Sequence, residues 1–190
     1  MVVDDLAARV GNLGFMAADA SWVREHIRAI ADYPTPGVTF RDITPLLGNA
    51  EAFRRAVDEL AEPFRDEAID RVVGVEARGF IPAAAVAYTL GAGFVPVRKA
   101  GKLPWAVARE EYELEYGRDK LEIHRDAIHP DERILVIDDV LATGGTASAT
   151  ARLVTVLGGT IVGLGFLIEL ADLGGRERLA EYQLSILARM

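Results

Sequence analysis

Asp138 and Asp139 stand side by side just ahead of Ala142-Thr143-Gly144-Gly145-Thr146. Two carboxylates can accept hydrogen bonds from vicinal sugar hydroxyls or hold a hydrated Mg²⁺. The loop after them has glycines that let the backbone approach an anion and threonines that add hydroxyl donors. Acids for hydroxyls beside a cradle for phosphate describe a site for a phosphorylated ribose. The loop lacks the lysine that a Walker loop needs after its last glycine, and it lacks the three spaced glycines of a dinucleotide fingerprint. Neither ATP nor NAD is indicated.

Two further groups have chemical potential. Arg98, Lys99 and Lys102 lie in Arg-Lys-Ala-Gly-Lys, and the chain has only three lysines in all. Positive charge is therefore concentrated at one point, directly after the strand-like run 94–97. Tyr33-Pro34-Thr35-Pro36-Gly37 is turn-rich and leads to Thr39, Phe40 and Arg41, so these three belong to a loop. An aromatic ring beside an arginine can sandwich a purine; the same ring could equally anchor the loop to the core.

These groups need elements to hold them. Ile134 to Ile137 are four consecutive branched apolar residues, suited to a parallel strand buried on both faces. Such strands present ligands at their carboxyl ends, which is where the acids fall. A helix is expected over 147–157, closed by Gly158-Gly159, with its N-terminal amides facing the loop. Apolar spacing predicts amphipathic helices over 20–32 and 51–64. A short strand is expected over 71–75, followed by a second loop, Glu76-Ala77-Arg78-Gly79. The uncharged run 80–97 contains Pro82, Gly91, Gly93 and Pro96 and reads as helix, turn and strand rather than a membrane span. From 112 to 123 the pattern has period two, predicting a charged hairpin that stands outside the core sheet. The last strand is expected over 161–168, before a short closing segment.

The stretch 134–147 resembles the phosphoribosyl pyrophosphate (PRPP) signature of the type I phosphoribosyltransferase family. Residues 33–47, 75–80, 95–104 and 114–117 are similar to segments of the adenine-using branch of that family, in the same order. The resemblance implies an α/β fold with a central, mostly parallel sheet flanked by helices, an N-terminal hood and an antiparallel flexible flap. It implies one domain over 1–190, with an N-terminal extension at 1–18, a hood loop at 33–47 and a flap hairpin at about 103–124. The implied reaction moves the 5-phosphoribosyl group of PRPP to adenine, giving AMP and pyrophosphate in purine salvage. A transferase for hypoxanthine, guanine, xanthine or orotate would share the PRPP elements, and a PRPP-sensing regulator could share the fold.

The same resemblance assigns roles. Residues 142–146 would take the 5′-phosphate, Asp138 and Asp139 the ribose, and Glu76, Ala77, Arg78, Arg98, Lys99 and Lys102 the pyrophosphate, with an unusual peptide conformation near Glu76-Ala77. Thr39, Phe40 and Arg41 would line the adenine pocket, with Thr39 standing where a small apolar residue is common. Glu115 in Leu-Glu-Tyr-Gly matches a flap glutamate proposed to act on the purine proton or the ribosyl cation, Tyr116 lies beside it in the flap, and Arg78 joins Glu115 as a catalytic candidate. Glu111, Glu113 and Glu115 together also suit a solvated hairpin face. Mg²⁺ would arrive with PRPP, held mainly by its oxygens and by water, with a contact from Asp138 or Asp139 at most. The family is typically homodimeric.

Composition is consistent with this reading. A chain of 190 residues with 51% hydrophobic content can bury one full core. Its net charge of −8 argues against a nucleic-acid or anionic-membrane surface. The absence of cysteine excludes disulfides, catalytic thiols and thiolate metal sites and suits a cytoplasmic setting. Asp4 and Asp5 come early, and no basic segment precedes an apolar run, so no secretory signal is expected. His26, His124 and His129 lack metal-ligand spacing and are expected to be surface or structural.

Overall fold

A computed structural model describes residues 15–16, 21–114 and 117–190; the side chains of 15, 16, 113, 114, 117 and 118 are not described. The elements are β1 (Phe15–Met16), α1 (Ser21–Glu25), β2 (Arg28–Ile30), β3 (Phe40–Asp42), α2 (Thr44–Gly48), α3 (Ala50–Ala61), β4 (Arg71–Val75), α4 (Phe80–Leu90), β5 (Gly93–Lys99), β6 (Val107–Leu114), β7 (Gly117–His124), β8 (Arg133–Leu141), α5 (Gly145–Val156), β9 (Thr160–Glu169), α6 (Gly175–Arg178) and β10 (Leu184–Arg189). Among the described residues the main sheet has the order β1-β10-β9-β8-β4-β5-β7-β6, and β2 pairs with β3 in a separate antiparallel ribbon.

The sheet is parallel from β1 to β5 in that order. β8 lies in its middle, and Ile134, Leu135, Val136 and Ile137 are all fully buried. Alternate residues of this strand feed opposite faces. Ile134 and Val136 join Leu153, Val154 and Phe166 under α5, while Leu135 and Ile137 join Leu60, Val86 and Leu167 under α3 and α4. Two apolar layers thus clamp one strand, the arrangement that a continuous branched run requires.

Several elements differ from their sequence patterns. The expected helix over 20–32 stops at Glu25, and residues 28–30 form β2. Only Val23 of its apolar positions is buried in α1, and residues 28–30 pair with Phe40–Asp42 instead. Backbone pairing with a distant segment has overridden the helical spacing. The closing segment contains a further strand, β10, parallel to β9, so 161–168 is not the last. Helix α5 begins at Gly145, two residues before the expected start. The run 80–97 forms α4, a left-handed turn at Gly91 (φ 70°) and β5. Among the described residues no helix is long and apolar enough to cross a membrane.

The hairpin β6–β7 is antiparallel, as its period of two requires. It does not stand outside the sheet. Arg98 and Lys99 of β5 pair with Glu122 and Leu121 of β7, and Tyr112, Leu121 and Ile123 are buried in the α5 side of the core. The charged face seen in the sequence occupies one side of a strand pair whose other side buries Tyr112, Leu121 and Ile123.

Leu135 is fully buried between helices, so Leu135→Ala should lower unfolding free energy by about 2–5 kcal/mol, the usual range for a core leucine truncation. Denaturant titration would measure it, and a loss below ~1 kcal/mol would contradict the described packing.

Candidate active site at the strand ends

Three parallel strands end at one place. The register pairs Gly74 with Ile137 and Val75 with Val97, so the segments after β4, after β5 and at the end of β8 converge. These segments carry Glu76-Ala77-Arg78-Gly79, Arg98-Lys99-Ala100-Gly101-Lys102 and Asp138-Asp139. The fold thereby gathers groups that the chain separates by some sixty residues.

Asp138 and Asp139 lie inside the last turns of β8 rather than beyond it. The Asp139 amide donates to Asp138 Oδ1 at 2.9 Å. Loss of solvation, and then the charge of Asp139, push the Asp138 carboxyl well above its ordinary value. Gly79 closes over it: a Cβ at that position would overlap Asp138 Oδ1 and sit 2.7 Å from the Val75 carbonyl. Asp139 is 7% exposed. Arg78 Nε comes within 2.7 Å of Asp139 Oδ2, yet that buried oxygen has no aligned hydrogen-bond donor among the described residues. The contact is an ion pair by distance, and the oxygen's lone pairs remain able to accept from a hydroxyl.

The loop 142–146 bends through Gly144, whose φ of 74° is the left-handed region that favours glycine. A Cβ there would also come within 2.9 Å of the Gly175 carbonyl oxygen, so the first turn of α6 backs the loop tightly. Helix α5 starts at Gly145, and the Ser148 amide is the first to find an intrahelical partner, Gly144 O at 2.9 Å. The earlier amides and the positive end of the helix face the loop, where an anion is favoured.

The basic cluster is present, and each of its lysines has a counter-ion. Glu76 accepts from Arg98 Nε at 3.1 Å, from the Lys99 amide at 3.3 Å and from Lys102 Nζ. Burial alone would raise the Glu76 carboxyl, but Lys102, Arg98 and the amide outweigh it and hold it below its ordinary value. Glu76 is therefore an organiser of the cations, its carboxylate occupying a position that an anion would compete for. The peptide Glu76-Ala77 is cis, as is Tyr33-Pro34. Lys99 Nζ pairs with Asp119 Oδ2 at 3.0 Å. On the far side of the loop, the buried Glu122 accepts from the Gly101 amide at 2.8 Å and from Arg109.

Phe40 and Arg41 form part of β3, while Thr39 is exposed beside them. The guanidinium carbon of Arg78 lies 4.8 Å from the centre of the Phe40 ring, and Tyr33 meets the same ring edge-on at 5.3 Å. Arg78 NH1 also donates to the Arg41 carbonyl at 3.2 Å. Arg78 thus joins the aromatic segment to the two acids. Asp42 holds that segment to α2 by accepting from the Thr44 amide and hydroxyl, each at 2.9 Å.

Glu115 and Tyr116 lie outside the described residues. Among the described residues no three or more His, Asp or Glu gather as a metal-holding group. Sequence reasoning missed Asp119, Glu122 and Gly175 as parts of the site. Their partners lie in other elements, and no short-range spacing marks them; the alternation around Tyr112 signals only that one face of the hairpin is buried.

The chain matches the phosphoribosyl transferase domain model over residues 47–185. It is 57% identical over 157 residues to an adenine phosphoribosyltransferase of Brucella suis, covering 83% of this chain and 87% of that one. The chain belongs to the adenine phosphoribosyltransferase family. Its fold superposes on the adenine phosphoribosyltransferase of Rhodothermus marinus with a TM-score of 0.87 at 50% identity, covering 90% of this chain and 98% of the other. It also resembles the Giardia lamblia enzyme complexed with 9-deazaadenine, with a TM-score of 0.85 at 34% identity over 92% and 99% of the two chains. The family's mostly parallel sheet with flanking helices is the architecture described above, and the chain is a glycosyltransferase-class enzyme.

The raised Asp138 carboxyl has a thermodynamic consequence. An acid whose folded-state value lies above its unfolded value costs stability once pH rises above the unfolded value, near 3.8. Asp138→Asn should therefore melt higher than the native protein near neutral pH, with the gap narrowing as pH falls toward 4. Thermal melts across that range would test this, and equal melting at pH 7 would refute it.

Proposed function

We propose that this site transfers the 5-phosphoribosyl group of PRPP to N9 of adenine, forming AMP and releasing pyrophosphate. The observation that carries the reading is the convergence of an anion-binding loop, a pair of buried carboxylates and a basic cluster on three neighbouring strand ends. The three groups match the three parts of PRPP in kind, and we assign the 5′-phosphate to residues 142–146, the ribose hydroxyls to Asp138 and Asp139, and pyrophosphate to Arg78, Arg98, Lys99, Lys102 and the segment Glu76-Ala77. Adenine fits the remaining wall, with Phe40 against the ring and Thr39 and Arg41 beside it.

In the reaction the C1′–oxygen bond to pyrophosphate breaks as the N9–C1′ bond forms, through a transition state with oxocarbenium character. Negative charge grows on the leaving group, and the fixed cations of residues 98–102 stabilise it without reorganising. Pyrophosphate carries more charge than the Glu76 carboxylate, so it outcompetes that group for Lys102. Positive charge on the ribose faces Asp138 and Asp139. Glu115 is assigned to the N9 proton or to the ribosyl cation, with Tyr116 in the same flap, and closure of that flap would keep water from the cation.

Mg²⁺ fits the donor set. Adjacent hard-oxygen carboxylates, one of them destabilised by burial and by its neighbour's charge, would gain from a nearby cation, and Mg²⁺ keeps most of its ligands as water and phosphate oxygens. Asp138 or Asp139 would supply the protein contact, and the ion would neutralise pyrophosphate charge when bound. Exposed Ile81 and Tyr88 on α4, with Phe94 on β5, support a homodimer. A cytoplasmic setting accords with the cysteine-free chain.

Product formation with PRPP and Mg²⁺, offered adenine, hypoxanthine, guanine, xanthine and orotate in parallel, tests the reading. AMP from adenine alone is expected; another nucleotide would move the base assignment, and PRPP binding without product would favour a regulator. Glu115→Gln should lower kcat by about a hundredfold or more, the scale of lost general acid–base catalysis, and unchanged turnover would remove Glu115 from the mechanism. Lys102→Ala should raise KM for PRPP while leaving KM for adenine near the native value.

A further inference from the structure

Glu169 closes β9 and is 2% exposed. A carboxylate so placed is costly unless it is paired. Both of its oxygens are committed to arginine. Arg176 donates from Nε to Oε1 at 3.1 Å and from Nη2 to Oε2 at 2.8 Å, and Arg189 Nε lies 3.0 Å from Oε2. The forked contact with Arg176 fixes direction as well as distance. The backbone that carries Glu169 is held on both sides. Its register partners are Leu141 of β8 and Arg189 of β10. Next to them, the Leu170 amide donates to the Leu141 carbonyl at 2.8 Å and the Met190 amide to the Glu169 carbonyl at 2.9 Å. Arg176 is thereby tied to the framework of the main sheet.

Arg176 belongs to α6, a helix of four residues, too short to keep its own shape and place. Its first residue nevertheless lies hard against the loop 142–146. A Cβ on Gly175 would overlap the Ala142 carbonyl oxygen, and one on Gly144 would come within 2.9 Å of the Gly175 oxygen. The chain enters α6 through Gly174, left-handed at φ 66°, and leaves it through the fully buried Leu179. Between those two points the Glu169–Arg176 pair holds the helix to the sheet.

We infer that Glu169 and Arg176 are positioning residues for the 5′-phosphate site, pressing α6 against the back of the loop so that its amides keep one anion-binding shape. The inference rests on the PRPP reading of the site and adds to it two residues whose charges face each other rather than a ligand. A phosphate is bound by several N–H groups at once, and the gain depends on their alignment before it arrives. Gly144 and Gly145 allow the loop to bend but do nothing to hold the bend. The rear wall supplies that restraint. The pyrophosphate cluster follows β5, which β4 separates from β8 in the sheet, so loss of the clamp should loosen one end of PRPP and leave the other as it was.

Calorimetric titration with ribose 5-phosphate, which carries only the 5′-phosphate, and with Mg²⁺-pyrophosphate, which carries only the other anion, reads the two ends separately. Glu169→Gln keeps the side-chain shape but turns one acceptor oxygen into a donor facing a guanidinium. It should weaken ribose 5-phosphate binding about tenfold or more, the scale on which a remote shift of a binding group acts, while pyrophosphate binds as in the native protein. In steady state KM for PRPP should rise with KM for adenine unchanged. Arg176→Lys, which keeps the charge without the fork, should recover part of the loss seen in Arg176→Met. Gly175→Ala leaves the ion pair in place and pushes on the Ala142 carbonyl instead, so the same selective loss is expected; it serves also where Glu169→Gln does not fold. Unchanged ribose 5-phosphate affinity in folded variants, or an equal loss for both ligands, would overturn the inference. AMP synthesis by the native protein, measured alongside, separates the two failures. A native protein that makes AMP while its variants bind as before rejects the clamp alone, whereas one that makes no AMP rejects the PRPP reading.

Discussion

Placing two acids side by side at the end of a buried strand is the constraint around which the rest of the site is arranged. Asp138 and Asp139 are carried by the most deeply enclosed strand of the sheet, where charge is costly. Their cost is limited by three local devices: the Asp139 amide on Asp138, the Arg78 guanidinium beside Asp139, and the glycine that lets the neighbouring loop approach. The missing Cβ at residue 79 is what allows the segment between β4 and α4 to lie against Asp138. An apolar pair at 138–139 would be easier to fold, and the retained pair is the part of the structure best explained by a hydroxyl-bearing ligand.

Charge in the remaining loops follows a related logic. The cations of the site are each paired with a protein carboxylate: Glu76 for Arg98 and Lys102, Asp119 for Lys99, Asp139 for Arg78. Each pair keeps a flexible basic side chain near its working position in a protein whose overall charge is −8. Ligand binding then becomes an exchange of partners rather than the capture of an anion by free lysines, which lowers the ordering cost on binding. Glu122 contributes differently, since it holds the backbone of the loop and leaves the lysine ammonium groups alone.

Much of this was legible before any coordinates. The run 134–137 predicts a doubly buried strand because nothing polar interrupts it, and the Gly144-Gly145 turn predicts a helix start because its spacing allows little else. Residues 71–75 form the expected strand for the same reason. What the sequence hid was long-range. The stretch 28–30 has helical apolar spacing but pairs with 40–42, and 184–189 forms a strand only because β9 offers it a parallel edge. Asp119 reads as one more charge in a charged hairpin until Lys99, twenty residues earlier, is seen beside it. Motifs encode contacts along the chain, and the counter-ions of this site are contacts across it.

The hairpin that continues β5 also decides what the rim of the sheet exposes. Beyond β6 there is no further strand among the described residues, so its outer backbone is a template on which another chain could pair. That strand carries Arg109, Glu110 and Glu111, each in an ion pair with Glu122, Arg152 or Lys120, and a second chain pairing along it would have to strip water from these charges. The charged edge of the hairpin therefore serves as a guard against fibrous association, keeping a molecule with an eight-stranded sheet from growing at its open edge.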